Sequence, residues 1–305
     1  MTRVLADGRV YRGDMGASAR KAHRSRRQNE LDAGRTISKR TFGVEIEYHS
    51  EMPVTKRVVA EAIEAVIGEH VHVTGYHGTT CERCGQTVGY DKWKIERDGS
   101  LGGIGYGADS TTGEVVSPVL TGQKGLDLLK LVMKTVKNAG GTINTRCGLH
   151  VHIGVRDLDT NGLKRLVSSW KAHEDQFLSL IPGGRRRNQY CRPWNRRISL
   201  ATAMDFVSNP TRNGWVKYTS LNLAPLPRLG TVEVRLHGGT LNGTKAETWI
   251  QLLLGFADAM TDRPDQVTEI QLADATLWDY LIAEKYLPGP AKARLDDRVA
   301  QFATR

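Results

Sequence analysis

The chain has 305 residues, and its 43 Lys and Arg outnumber 33 Asp and Glu, for a formal net charge of +10. That length suits one large domain, or one domain with extensions, and no apolar run approaches the roughly 20 residues of a membrane span. The four cysteines are too few for a disulfide framework. The opening residues lack a signal-peptide core, so a cytoplasmic protein is expected.

Residues 1–40 read as a basic extension. Between Ala17 and Arg40 stand Arg20, Lys21, Arg24, Arg26, Arg27, Arg35, Lys39 and Arg40 against only Glu30 and Asp32. Large apolar residues are scarce, so the segment has no core of its own to bury. With no aromatic residues between the charges, a solvated arm is the first reading. The alternative is contact with nucleic-acid phosphates.

Thr41–Tyr48 predicts a strand: Val44, Ile46 and Tyr48 alternate with Glu45 and Glu47. Successive side chains of a strand face opposite ways, so the two carboxylates share one face. Lys56–Ile67 carries apolar residues at helical spacing. Strands are expected at His70–Tyr76, Lys92–Glu96 and Gly113–Pro118, with a turn at Asp98-Gly-Ser100. Between the first two lies Cys81-Glu-Arg-Cys84, which has the spacing of half a zinc site. With no second such pair, the other ligands would have to be His70, His72 or His77. That incomplete set argues against a structural zinc.

Leu126–Val136 predicts an amphipathic helix, Cys147–Val155 a strand bearing His150 and His152 on one face, and Leu163–Leu180 a second long helix. The loop over residues 183–197 is dense in arginine, including Arg185, Arg187 and Arg192. Strands follow at Tyr218–Leu223 and Thr231–His237, then a helix at Lys245–Met260. The remainder shows only short helical patterns and forms a separate extension, 261–305. Strands in hairpin-like pairs between helices indicate an α+β fold, with an antiparallel sheet and helices packed on one face.

Four strands put titratable residues two apart, or singly, on the polar face: Glu45 and Glu47, Glu114, His150 and His152, then Glu233 and Arg235. A solvated sheet face mixes Thr, Ser, Lys and Gln instead. Carboxylates and a histidine suit Mg or Mn, such ions bridge phosphate oxygens, and arginines clamp phosphates. No P-loop or kinase signature occurs.

Six strings carry a family resemblance: Gly43-x-Glu45-x-Glu47; Trp93…Asp98-x-Ser100; Gly113-Glu114-x-x-Ser117-Pro118; Cys147-Gly148-x-His150-x-His152; Tyr190-Cys191; and Leu221-Asn222…Thr231-x-Glu233-x-Arg235. Over residues 40–256 they resemble the amidoligase family, of the glutamine synthetase and glutamate–cysteine ligase superfamily. The basic arm, the Cys81/Cys84 insertion and the tail lie outside the resemblance.

The resemblance implies a curved, mostly antiparallel sheet like the glutamine synthetase catalytic domain, spanning residues 41–260. It implies an ATP-dependent ligase in which a carboxylate becomes an acyl phosphate that an amine displaces. Glu45, Glu47, Glu114, Glu233 and His152 would hold Mg or Mn, and His150 would lie by the phosphates or metals. Arg235, Arg185, Arg187 and Arg192 would meet the nucleotide. His77, Asp98, Ser100, Tyr190 and Asn222 would face substrates, the amine coming from an amino acid, a peptide or a protein side chain. Two other readings remain: a metal-dependent hydrolase using the His/Glu cluster, and a nucleic-acid-binding protein acting through the arm.

Overall fold

The computed structural model describes residues 2–4, 10–12, 37–194, 198–211, 214–262 and 275–303. Most of the basic arm, residues 195–197 of the arginine loop and the start of the tail lie outside them. The chain forms two units. A smaller one comprises residues 41–151 and 237–250, and a larger one residues 1–40, 152–236 and 251–305. No helix among the described residues is long and apolar enough to cross a membrane.

Among the described residues the strands are numbered in chain order. β1 (Thr2–Val4) and β2 (Val10–Arg12) pair antiparallel, with Thr2 opposite Arg12. They are followed by β3 (Thr41–His49), β4 (His72–Val73), β5 (Lys94–Glu96), β6 (Thr112–Val116) and β7 (Leu120–Thr121). β8 (Gly148–Gly154), β9 (Leu221–Asn222) and β10 (Thr231–Gly238) complete the set. The boundary between units falls inside β8, after Val151, and inside β10, after Leu236.

The smaller unit is organised on β3. Its apolar residues Val44, Ile46 and Tyr48 are fully buried. β6 runs antiparallel beside it, with Glu47 opposite Glu114, and β7 pairs with its start. β5 runs antiparallel to β6, placing Glu96 opposite Glu114, and β4 lies parallel to β5. The strand order is β4-β5-β6-β3-β8. β4 is shorter than the expected His70–Tyr76 because the chain turns back at once, Gly78 N donating to Gly75 O at 3.0 Å.

Helices α1 (Lys56–Ile67) and α2 (Gly122–Asn138) touch each other. They bury Val59, Ile63, Leu126, Leu129, Val132, Met133 and Val136. α1 begins at Thr55, whose side chain accepts from Val58 N, and ends at Gly68 in the left-handed conformation at φ 74, both standard stops for a helix. Gly113 in β6 faces the apolar side, where a Cβ would meet Ile95 Cγ2 at 2.8 Å and Lys56 at 3.1 Å. The neighbouring Glu114 therefore turns to the opposite face.

In the larger unit, α3 (Thr160–Ser179) stacks Trp170 on Phe177 with ring centroids 4.5 Å apart, and Phe256 of α7 (Gly243–Asp262) meets both edge-on. Between these helices in sequence come α4 (Gly183–Arg186), α5 (Leu200–Ser208) and α6 (Leu226–Leu229). α5 has no counterpart in the sequence reading. Gly230, at φ 66, ends α6, and a Cβ there would collide with Arg156. β10 starts at the next residue and pairs antiparallel with β9, Glu233 opposite Asn222. β9 keeps only two of the six residues expected for its strand. The tail folds as α8 (Leu277–Ala283), started by a reciprocal Thr276/Asp279 cap, and α9 (Ala291–Ala303).

Arg40 corrects the reading of the basic arm at its last residue. It is buried, not solvated. Its guanidinium forks onto Asp157, at 2.5 and 2.8 Å, reaches Asp258 at 3.2 Å and donates to Gly154 O at 2.8 Å. Bidentate geometry and two carboxylates satisfy a charge that burial would otherwise penalise. Arg40→Ala leaves both aspartates without it, a change that costs about 3–5 kcal/mol for a buried pair. Urea unfolding should show a loss of that order; a loss under about 1 kcal/mol would contradict the assignment.

Candidate active site

In the smaller unit the strand register lines up three carboxylates. Glu47 of β3, Glu114 of β6 and Glu96 of β5 are direct cross-strand neighbours in one row. All three are buried, Glu47 to 4 % exposure. Like charges directly opposite one another destabilise a sheet, so the row needs compensation. Gly148 N donates to Glu47 Oε2 at 2.6 Å. Lys94 forms an ion pair with Glu96 from the same strand face.

His150 stands among the carboxylates. Its Nδ1 is 3.1 Å from Glu45 and 3.7 Å from Glu114, and its Nε2 is 3.5 Å from Glu47. Glu47, Glu114 and His150 offer ligand atoms close enough to share one metal ion. Burial, reinforced by the negative charges of Glu45, Glu47, Asp98 and Glu96, pushes the Glu114 carboxyl well above its ordinary range. Hard carboxylate oxygens with one imidazole are a donor set suited to Mg or Mn.

Glu96 is a member of this site that the sequence reading missed. Its signal was the Lys94-x-Glu96 alternation, which resembles an ordinary surface ion pair. His77 lies beside it: its backbone N donates to Glu96 Oε2 at 3.2 Å and its Nδ1 is 3.5 Å away. The Asp98–Ser100 turn forms as expected, Ser100 N donating to Asp98 Oδ1 at 2.6 Å.

The larger unit holds a second group around β9 and β10. Asn222 Nδ2 donates to Glu233 Oε2 at 2.6 Å, and Arg235 forms an ion pair with Glu233. Arg235 Nε also donates to Tyr190 O at 3.1 Å, and the Tyr190 ring meets Tyr218 edge-on. Behind these, buried Glu174 accepts from Ser220 Oγ and from Trp194 N.

The arginine loop departs from a simple phosphate lid. Arg185 is buried and donates to the carbonyls of Leu236, at 3.3 Å, and Arg235, at 2.9 Å. Its guanidinium braces β10. Arg192 is half-buried and its backbone pairs with Tyr218 and Ser220, while Arg187 is exposed. His152 Nδ1 meets Thr231 Oγ1 at 3.0 Å, and among the described residues His152 belongs to no metal-capable group.

The model of the family described as "Putative amidoligase enzyme" matches residues 38–257. The chain belongs to this amidoligase family. The membership supports a ligase-type function. No curated protein matches the sequence. Among solved structures, one described as "Crystal structure of novel glutamine synthase homolog" is similar, with 12% identity and a TM-score of 0.44, over 99% of this chain and 72% of that one.

Glu114→Gln keeps the shape of the row and removes one charge from it. Without added metal the variant should melt higher by about 2–4 °C, the equivalent of roughly 1 kcal/mol. The rise that Mg or Mn gives the unaltered protein should shrink in the variant. Equal metal-induced shifts in both proteins, read by thermal denaturation, would remove Glu114 from the cation site.

Proposed function

We propose that this amidoligase is an ATP-dependent carboxylate–amine ligase. The observation that carries the reading is the buried row Glu47–Glu114–Glu96 with His150 among its carboxylates. So much buried negative charge is stable only beside cations. Glu45, Glu47 and Glu114 are proposed to hold Mg or Mn, and on the family's pattern Glu233 is proposed as a further ligand. Such ions neutralise charge on phosphate oxygens during phosphoryl transfer.

The chemistry follows in two steps. An oxygen of the substrate carboxylate attacks the γ-phosphorus of ATP, the bond to the bridging oxygen breaks, and ADP leaves. The amine then attacks the acyl carbon, phosphate departs with the bonding pair, and the nitrogen loses a proton to give the amide. Arg235 is held by the Tyr190 carbonyl and by Glu233, so its guanidinium is positioned in advance, and it is proposed to stabilise the transferring phosphoryl group. Asn222 fixes Glu233 from the opposite strand. The Asp98–Ser100 turn and His77 are proposed to orient the amine of an amino acid, a peptide or a protein side chain.

The test is release of ADP and phosphate from ATP and Mg in the presence of pooled amino acids and peptides. Turnover should depend on the amine. Glu45→Ala, Glu233→Ala and Arg235→Ala should each lower it by about 10²–10³, the loss typical when one preorganised charge-stabilising group is removed, with circular dichroism unchanged. Near-normal turnover in all three would refute the site.

A further inference from the structure

A second constellation in the smaller unit has a different chemistry. His70, His72, Cys81 and Cys84 each present one ligand atom, and all four atoms lie within 4.8 Å of one another. His70 Nε2 is 3.9 Å from Cys81 Sγ, and His72 Nδ1 is 3.7 Å from Cys84 Sγ. In a tetrahedral zinc site, with bonds of about 2.3 Å to sulfur and 2.0–2.1 Å to nitrogen, a sulfur and a nitrogen stand about 3.6 Å apart. The two measured separations are close to that edge. The incomplete set seen in sequence is therefore completed by His70 and His72 together, and His77 is directed to Glu96 instead.

The backbone around the cysteines is built to aim the thiols. Residues 79–88 form a small hairpin, with Thr80 opposite Thr87, and Val88 N donating to Thr79 O at 2.7 Å. Cys81 and Cys84 occupy its turn. Gly85 follows at φ 73, where nothing lies within 4 Å of a would-be Cβ, so the glycine answers to conformation rather than to crowding. Arg83 N donates to Cys81 Sγ at 3.4 Å.

The histidine side has an orienting carboxylate. Glu64, in the last turn of α1, meets His70 Nδ1 at 2.5 Å, leaving Nε2 directed at Cys81. Arg83, between the two cysteines, grips the same Glu64 at 2.8 and 3.1 Å, and Val71 N donates to it at 2.9 Å. A carboxylate behind a ligating histidine fixes the ring and its tautomer, a recurring outer shell of metal centres. The imidazoles of His70 and His72 meet edge-on, with centroids 4.6 Å apart.

We infer that His70, His72, Cys81 and Cys84 form a Cys₂His₂ structural zinc site that clips the 79–88 hairpin to α1 and β4. Binding expels the thiol protons and ties the folding of this insertion to the metal. His77, two residues before this hairpin, is held against Glu96 at the end of the carboxylate row. The zinc thus steadies one wall of the candidate active site without taking part in its chemistry. This inference stands independently of the ligase reading.

Cobalt is the probe. Reduced, metal-free protein, kept in excess Mg²⁺ to occupy the carboxylate row, should bind one Co²⁺ per chain in a form that shows a thiolate-to-cobalt charge-transfer band with the intense d–d bands of a tetrahedral ion. One equivalent of Zn²⁺ should bleach both. Cys84→Ser and His72→Ala should each lose the tetrahedral spectrum. His70→Cys should keep it, with stronger charge transfer. Glu114→Gln should leave it unchanged, which separates this site from the carboxylate row. Absence of the charge-transfer band in the unaltered protein overturns the proposal, and that readout needs no variant to fold. Persistence of the band in a Cys81→Ser, Cys84→Ser double variant overturns it equally.

Discussion

Three carboxylates placed side by side across three neighbouring strands are the constraint on which the smaller unit turns. The register that sets Glu47 against Glu114, and Glu114 against Glu96, follows from antiparallel pairing around β6. Slipping either pairing by one residue would send a carboxylate into the apolar layer that holds Ile46, Ile95 and Val115. The packing of the core thus fixes the charge row. Lys94, Gly148 N and His150 offset part of the repulsion. The Glu114 carboxyl still stands well above its ordinary range, because burial and four neighbouring acids oppose its ionisation.

The two units spend their buried polar groups differently. In the larger one, charge is matched within the protein: Arg40 with Asp157 and Asp258, Arg235 with Glu233, and Glu174 with Ser220 and the Trp194 backbone. Arg185 is fixed on backbone carbonyls. In the smaller unit the carboxylates of Glu47, Glu114 and Glu96 stand beside one another, with Lys94 and His150 among them.

Much of this was legible in the sequence where alternation was long enough to read. β3, β6, β8 and β10 each carry apolar and titratable residues in a period of two, and that pattern located Glu45, Glu47, Glu114, His150 and Glu233. Glu96 escaped because β5 has three residues, too few to show a period, and because register between strands is invisible along the chain. Arg40 escaped because it closes a run of basic residues whose bland reading is solvation. Cys81, Cys84, His70 and His72 were each candidates in the sequence, but that both histidines rather than His77 stand beside the two cysteines follows only from the hairpin that brings them together. Period two places His152 on the face of His150, and its Nδ1 meets Thr231 Oγ1.

The divalent cation proposed between Glu47 and Glu114 is open to direct detection. Mn²⁺ titration followed by electron paramagnetic resonance tests it most directly, since only the free ion gives the sharp six-line signal. With zinc saturating the cysteine site, the unaltered protein should deplete that signal, and a Glu47→Gln, Glu114→Gln double variant should leave it near the level of buffer alone. Equal depletion by both proteins would contradict the account.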